Sequence, residues 1–125
     1  HGDGFCLNVG NPHIVFFVKD CFKIDIKDVG PKIENYKYFP ERTNVTFAQI
    51  LDKKNIKVNV WERGAGQTKA CGTAACATAV AASIKGLADK NLNIHFREGS
   101  LQIDSENEIF MVGSVSAVKK VKLDI

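Results

Sequence analysis

No stretch of this 125-residue chain approaches the roughly 18 consecutive apolar residues that a membrane helix needs, which argues against a helical bilayer span. The first residues, His1-Gly2-Asp3-Gly4, contain no basic segment leading into an apolar one, so the pattern of a signal peptide is missing. There is no starting Met either, which predicts a chain that was processed, tagged or cut from something longer. The four cysteines, Cys6, Cys21, Cys71 and Cys76, form no Cys-x-x-Cys pair, and no paired Cys/His spacing points to a zinc site. A domain of this length and hydrophobicity does not need disulfide staples, so they read as free thiols in a reducing, cytoplasmic setting. Basic charge is not concentrated: 17 basic and 14 acidic residues leave a net +3, scattered except for Lys119-Lys120 and Lys122. Nucleic-acid binding gathers such charge on one face, so that partner is not expected. Internal repeats and low-complexity stretches are also missing.

What is present is an ordinary globular balance. Hydrophobic residues at 45% against 25% charged exclude wholesale disorder, which needs the opposite proportions. From Cys6 to Val18 the chain is apolar and β-branched but broken at Gly10-Asn11-Pro12, which predicts two short strands around a turn. Asp28 to Asn35 fits a short helix, with Pro31 tolerated only in its first turn. The clearest hairpin joins Asn44–Leu51 to Ile56–Trp61 through Asp52-Lys53-Lys54-Asn55, with Ile56, Val58 and Val60 on one face. Glu62 to Thr68 then reads as a glycine-containing loop. Ala74 to Lys85 is Ala-rich and free of Gly and Pro, hence helical, with Thr73 as its cap and Gly86 as its left-handed stop. Asn91–Arg97, Leu101–Asp104 and Glu108–Val112 complete the strands. The order predicts an α+β fold, a mostly antiparallel sheet wrapped around a central helix.

The chemistry concentrates between Glu62 and Thr73. Cys71 stands immediately before a helix, where unpaired backbone N–H groups and a partial positive charge bind anions and lower a thiol's pKa. Cys71, Gly72 and Thr73 can therefore build a thiolate beside a carboxylate nest, and Gly72 allows close approach to the backbone. A small buried cysteine in a tight turn fits the same pattern. Cys76, among alanines, and Cys6 and Cys21, in or beside strands, read as core fillers. His13 at a strand start and His95 within one read as structural, and Glu62-Arg63 as an exposed pair. Spacing alone does not bring His13, Asn44, Glu62 and Cys71 together.

Three blocks change this picture: Gly10-Asn11-Pro12-His13, Phe39-Pro40-Glu41-Arg42-Thr43-Asn44, and Glu62-Arg63-Gly64-Ala65-Gly66-Gln67-Thr68 running through Ala70-Cys71-Gly72-Thr73 to Cys76. In this order the sequence resembles the C-terminal half of diaminopimelate epimerase over nearly its whole length. The resemblance implies a cofactor-independent (PLP-independent) isomerase that inverts LL-diaminopimelate to meso-diaminopimelate, in lysine and peptidoglycan biosynthesis. Two cysteines on opposite faces of the substrate exchange the α-proton. Cys71 matches the second cysteine, Glu62 the acid/base group beside it, and His13 the histidine associated with the first. The N–H groups of Gly72 and Thr73 would hold the α-carboxylate. Asn11, Asn44 and Arg63 match groups that grip the distal amino-acid end, a task that suits bidentate Arg.

Residues 1–117 would then be the C-terminal epimerase-type domain, and 118–125 a terminal strand that in the family returns to the first domain. Ala74 stands where the family commonly has glycine, and Gln67 where it often has Glu. The first domain, with its Cys-Gly-Asn-Gly motif, is not among these residues, and neither Cys6 nor Cys21 has the flanking glycines to replace it. The expected partners are a small amino-acid substrate and that other domain or a second copy. No metal is expected. A ligand-binding or assembly module of the same fold, or a related racemase with another substrate, is the alternative.

Overall fold

In a computed structural model of the chain, residues 3–68, 71–104 and 119–122 are described, the last by their backbone pairing only. The elements run β1 (Asp3–Asn8), β2 (Pro12–Phe17), a short 3-10 turn (Cys21–Lys23), α1 (Ile26–Glu34), β3 (Asn44–Asp52), β4 (Asn55–Glu62), β5 (Gly66–Thr68), α2 (Gly72–Ile84), β6 (Asn91–His95), β7 (Ser100–Asp104) and β8 (Lys119–Lys122). They form one sheet in the order β7-β6-β4-β3-β2-β1-β8, with β5 also paired to β4.

Most strand pairs are antiparallel. The parallel ones are β2 with β3 and β4 with β6. A parallel pair cannot be closed by a tight hairpin and needs a crossover. α1 lies in the first of these connections and α2 in the second.

The two helices cover opposite faces of the sheet, and strand alternation sorts the side chains between them. Phe5, Leu7, Val15, Ala48, Ile56, Val58 and Val60 pack with α2. Cys6, Ile14, Phe16, Val45, Phe47 and Trp61 pack with Cys21, Ile26 and Ile33. Of the nine consecutive α2 positions from Ala74 to Ala82, all but Cys76 are buried, so the helix is enclosed nearly all round. Alanine makes this workable, since it favours the helix and lets the sheet approach closely. This is the expected sheet around a central helix. α1 is one-faced instead, burying Ile26, Gly30, Ile33 and Glu34 while Asp28 and Lys32 pair at 3.3 Å in solvent.

Three local expectations need correction. α2 begins at Gly72, with Cys71 rather than Thr73 in the N-cap position; Thr73 lies inside the first turn, and the Cys71 side chain makes no capping hydrogen bond. Pro31 lies in the second turn of α1, because the helix starts at Ile26 rather than Asp28. Glu62 to Thr68 is not all loop: Gly66–Thr68 turns back as β5, pairing Gln67 with Trp61, which positive φ at Gly64 (79°) and Gly66 (87°) permits. The helix stop is as expected. Gly86 takes φ 72°, its N–H donates to Ser83 and that of Leu87 to Ala82, closing a Schellman motif. The strand expected at Glu108–Val112 lies outside the described residues. Lys119–Lys122 pairs antiparallel with β1 at the sheet edge.

Candidate active site

Register achieves what spacing does not. Parallel pairing sets His13 beside Asn44, and the antiparallel pairing of Val45 with Trp61 sets Asn44 opposite Glu62. By alternation all three side chains leave the sheet on the α2 side. His13 and Asn44 are buried and Glu62 is half-buried.

Hydrogen bonds tie this row to the helix start. The Cys71 Sγ lies 3.4 Å from Thr73 Oγ1. The Asn11 amide donates to the same hydroxyl at 3.4 Å, and its Oδ1 accepts from His13 Nε2 at 3.0 Å. Because Oδ1 only accepts, His13 carries its proton on Nε2, which leaves Nδ1 as a buried lone pair without a partner. Burial, helped by the charge of Arg63, pushes the imidazole down to about 4, so His13 is neutral near pH 7. Cys71 is 8% exposed. At the helix start the first acceptor used is the Cys71 carbonyl, by Ala75, so the N–H groups of Gly72, Thr73 and Ala74 have no partner within the helix. Among the described residues nothing lies within 4 Å of where a Cβ at Gly72 would stand, which leaves this end of the helix open toward them.

Asn44 and Arg63 are each bonded to neighbouring backbone. Asn44 donates to the Pro12 carbonyl at 2.8 Å and accepts from the Arg63 N–H at 2.7 Å. It thereby ties β2 to the turn after β4. The Arg63 side chain is half-buried and donates to the Glu41 carbonyl at 3.3 Å. A cleft of about 300 Å³ adjoins these residues, lined by Asn8, Pro12, Tyr38, Phe39, Pro40, Glu41 and Arg42.

The remaining thiols and His95 stand apart. Cys21 is fully buried on the α1 face and donates to the Lys57 carbonyl, with its thiol pushed up to about 11 by burial. Cys6 and Cys76 are half-buried. His95 bridges Ser100 and Asn55 in the sheet, a structural role. Among the described residues no three His, Cys, Asp or Glu side chains converge as metal ligands would.

One participant escaped the sequence reading. Glu34, 5% exposed at the end of α1, accepts from Trp61 Nε1 at 2.8 Å and from the Gly64 N–H at 2.9 Å, and pairs with Arg42 at 3.2 Å. The available signal was its helical spacing from Ile26 and Gly30, which places a carboxylate on a buried face.

The fold has counterparts among solved structures. The chain resembles a phenazine biosynthesis PhzC/PhzF protein from Clostridium difficile at TM-score 0.61 and 15% identity, covering 84% of this chain and 40% of that one. A Bacillus anthracis phenazine biosynthesis protein of the PhzF family matches at TM-score 0.59 and 20% identity, over 82% and 35%. These likenesses give the α+β architecture. The sequence gives the family: residues 5–118 match diaminopimelate epimerase, and the chain belongs to that family. It is 55% identical to the diaminopimelate epimerase of Pelagibacter ubique over all of this chain and 46% of that protein. For the enzymes so named from Bacteroides thetaiotaomicron and Moorella thermoacetica the identities are 49% and 45%, over 90% and 88% of this chain. The chain spans less than half the length of these relatives.

Proposed function

We propose that this domain supplies one half of a two-cysteine epimerase site for diaminopimelate. The observation that carries the reading is the connection from Cys71 through Thr73 and Asn11 to His13, beside a helix start that the Cys71 side chain does not cap. The substrate α-carboxylate sits on the N–H groups of Gly72 and Thr73, where the helix dipole and free donors favour an anion. The Cys71 thiolate takes the α-proton from one face, becoming a thiol. The carbanion left behind is stabilised through that carboxylate by the same donors. A second thiol, from the rest of the parent protein or from another copy, returns a proton on the far face. Glu62 moves the proton of Cys71 to and from solvent. Asn11, Asn44 and Arg63 form the distal end of the site, Asn44 chiefly by fixing the Arg63 backbone. No cofactor is required, because the thiols and N–H donors supply both proton transfer and charge stabilisation.

The test is NMR of LL-diaminopimelate in deuterated water with this chain. The expected result is slow exchange of the α-proton, lost in Cys71→Ala, with little or no inversion to the meso form. Removing half of a cooperating catalytic unit costs far more than half of its acceleration. Efficient inversion by the chain alone, abolished by Cys71→Ala, would replace the half-site by one that a second copy completes. Exchange unaffected by Cys71→Ala would refute the assignment of Cys71. Binding without any exchange is the result expected of a ligand-binding or assembly module.

A further inference from the structure

We infer that Glu34 is a positioning residue for the turn that carries Glu62 and Arg63, an inference that rests on the roles proposed above for those two side chains.

The turn leaves β4 at Glu62 and re-enters the sheet at Gly66, with Gly64 at φ 79°. Two successive amides in it are held by buried side chains. The Arg63 N–H is bound by Asn44, which reaches it from the α2 side of the sheet. The Gly64 N–H is bound by Glu34, on α1 across the opposite face. The turn is therefore gripped from both faces of the sheet.

Glu34 also fixes the strand that leads into the turn. Its other oxygen takes the indole N–H of Trp61, the residue immediately before Glu62. One helical turn earlier, the α carbon of Gly30 lies so close to the Trp61 ring that a Cβ there would come within 2.5 Å. Trp61 is thus located by contact at Gly30 and by a directed bond at Glu34.

The third partner is Arg42, whose φ of 65° is the one left-handed value among described non-glycine residues. Its side chain is 53% exposed, whereas that of Glu34 is 6% exposed. The carboxylate is thus the buried centre, and Arg42 neutralises it from the solvent side. A negative group at the C-terminal end of a helix opposes the helix dipole, so local helix energetics do not account for it. Its three partners do.

The carboxylate form matters because both oxygens accept. Gln has nearly the same shape but offers one acceptor and one donor group, so Trp61 and Gly64 cannot both be satisfied. Arg42 then faces solvent and loses little. Glu34→Gln is therefore expected to preserve the fold and loosen the turn, whereas Glu34→Ala also opens a cavity.

The experiment compares the full chain with Glu34→Gln and Glu34→Ala by ¹⁵N NMR, amide hydrogen exchange and titration with diaminopimelate. In Glu34→Gln the Gly64 amide or the Trp61 indole signal should move upfield, and Gly64 exchange should quicken about tenfold, while amides in the centre of β3 keep their protection. Binding of diaminopimelate should weaken about tenfold with little change in melting temperature. A purely structural Glu34 would instead lower melting temperature and binding together. A Gly64 amide and a Trp61 indole both unchanged in a folded Glu34→Gln variant overturn the inference, as does unchanged binding with either signal shifted. If the unsubstituted chain binds no diaminopimelate, the reading of the site fails; the positioning claim is then decided by the Gly64 and Trp61 signals in the free chain.

Discussion

The side chain of Asn11 donates to the hydroxyl of Thr73 at 3.4 Å, joining the turn between β1 and β2 to the first turn of α2 across 62 positions of sequence. The same hydroxyl lies 3.4 Å from the Cys71 sulfur. Both contacts are long, so their net contribution is modest. Thr73→Val is expected to cost about 1 kcal/mol in urea denaturation, the ordinary value of a lost hydrogen bond. A loss of more than about 3 kcal/mol would mean that the hydroxyl holds the helix in place rather than adjusting the cysteine.

His13 makes stability depend on pH. Its folded value of about 4 lies below the 6.5 of an exposed histidine, so between those values the unfolded chain binds a proton that the folded chain refuses. Its contribution is complete above pH 6.5 and is lost as pH falls toward 4. Linkage puts the loss at about 3 kcal/mol for a shift of this size. Unfolding free energies measured at pH 7 and pH 5 should differ by less in His13→Gln than in the unsubstituted chain. Equal slopes would show that His13 is accessible to protons in the native state.

Cys21 should be the last thiol to react. It is fully buried, and its raised pKa keeps it protonated at pH 8, where the thiolate is the reactive form. Iodoacetamide should modify Cys71 at a measurable rate and Cys21 only as fast as the chain opens. Peptide mapping by mass spectrometry reads the order. Modification of Cys21 before Cys71 in folded protein would exclude a reactive thiolate at Cys71.

Gly30 and Gly99 form a matched pair of tests. Alanine at Gly30 places a Cβ against the Trp61 ring, and overpacking of this kind costs typically about 1–3 kcal/mol. Alanine at Gly99 meets none of the described residues within 4 Å, and a surface change of that kind stays within about 0.5 kcal/mol. Denaturation with Trp61 fluorescence as the probe separates them. A silent Gly30→Ala would mean that α1 can move away from β4.

The sequence by itself determined the features that depend on neighbours along the chain. The alternation of Ile56, Val58 and Val60 requires a strand, the alanines of α2 require a helix small enough to be enclosed, and Gly86 marks its end. Cys71 before a helix was legible for the same reason, although the cap fell two residues earlier than Thr73 suggested. The motif blocks singled out His13, Asn44, Glu62 and Cys71 as candidates. Only the tertiary structure decided how they meet. The parallel register of β2 on β3 puts His13 beside Asn44, and no local pattern encodes a register between strands joined by a crossover; the β3–β4 hairpin, legible from its turn, then brings Glu62 into the same row. Glu34 was hidden for a related reason. A carboxylate on a buried helix face is unfavourable until its partners are known, and Trp61, Gly64 and Arg42 come from other parts of the chain. Burial and pairing are properties of the assembled sheet, so the contacts that make Glu34 tolerable inside it appear only once the strands are in place.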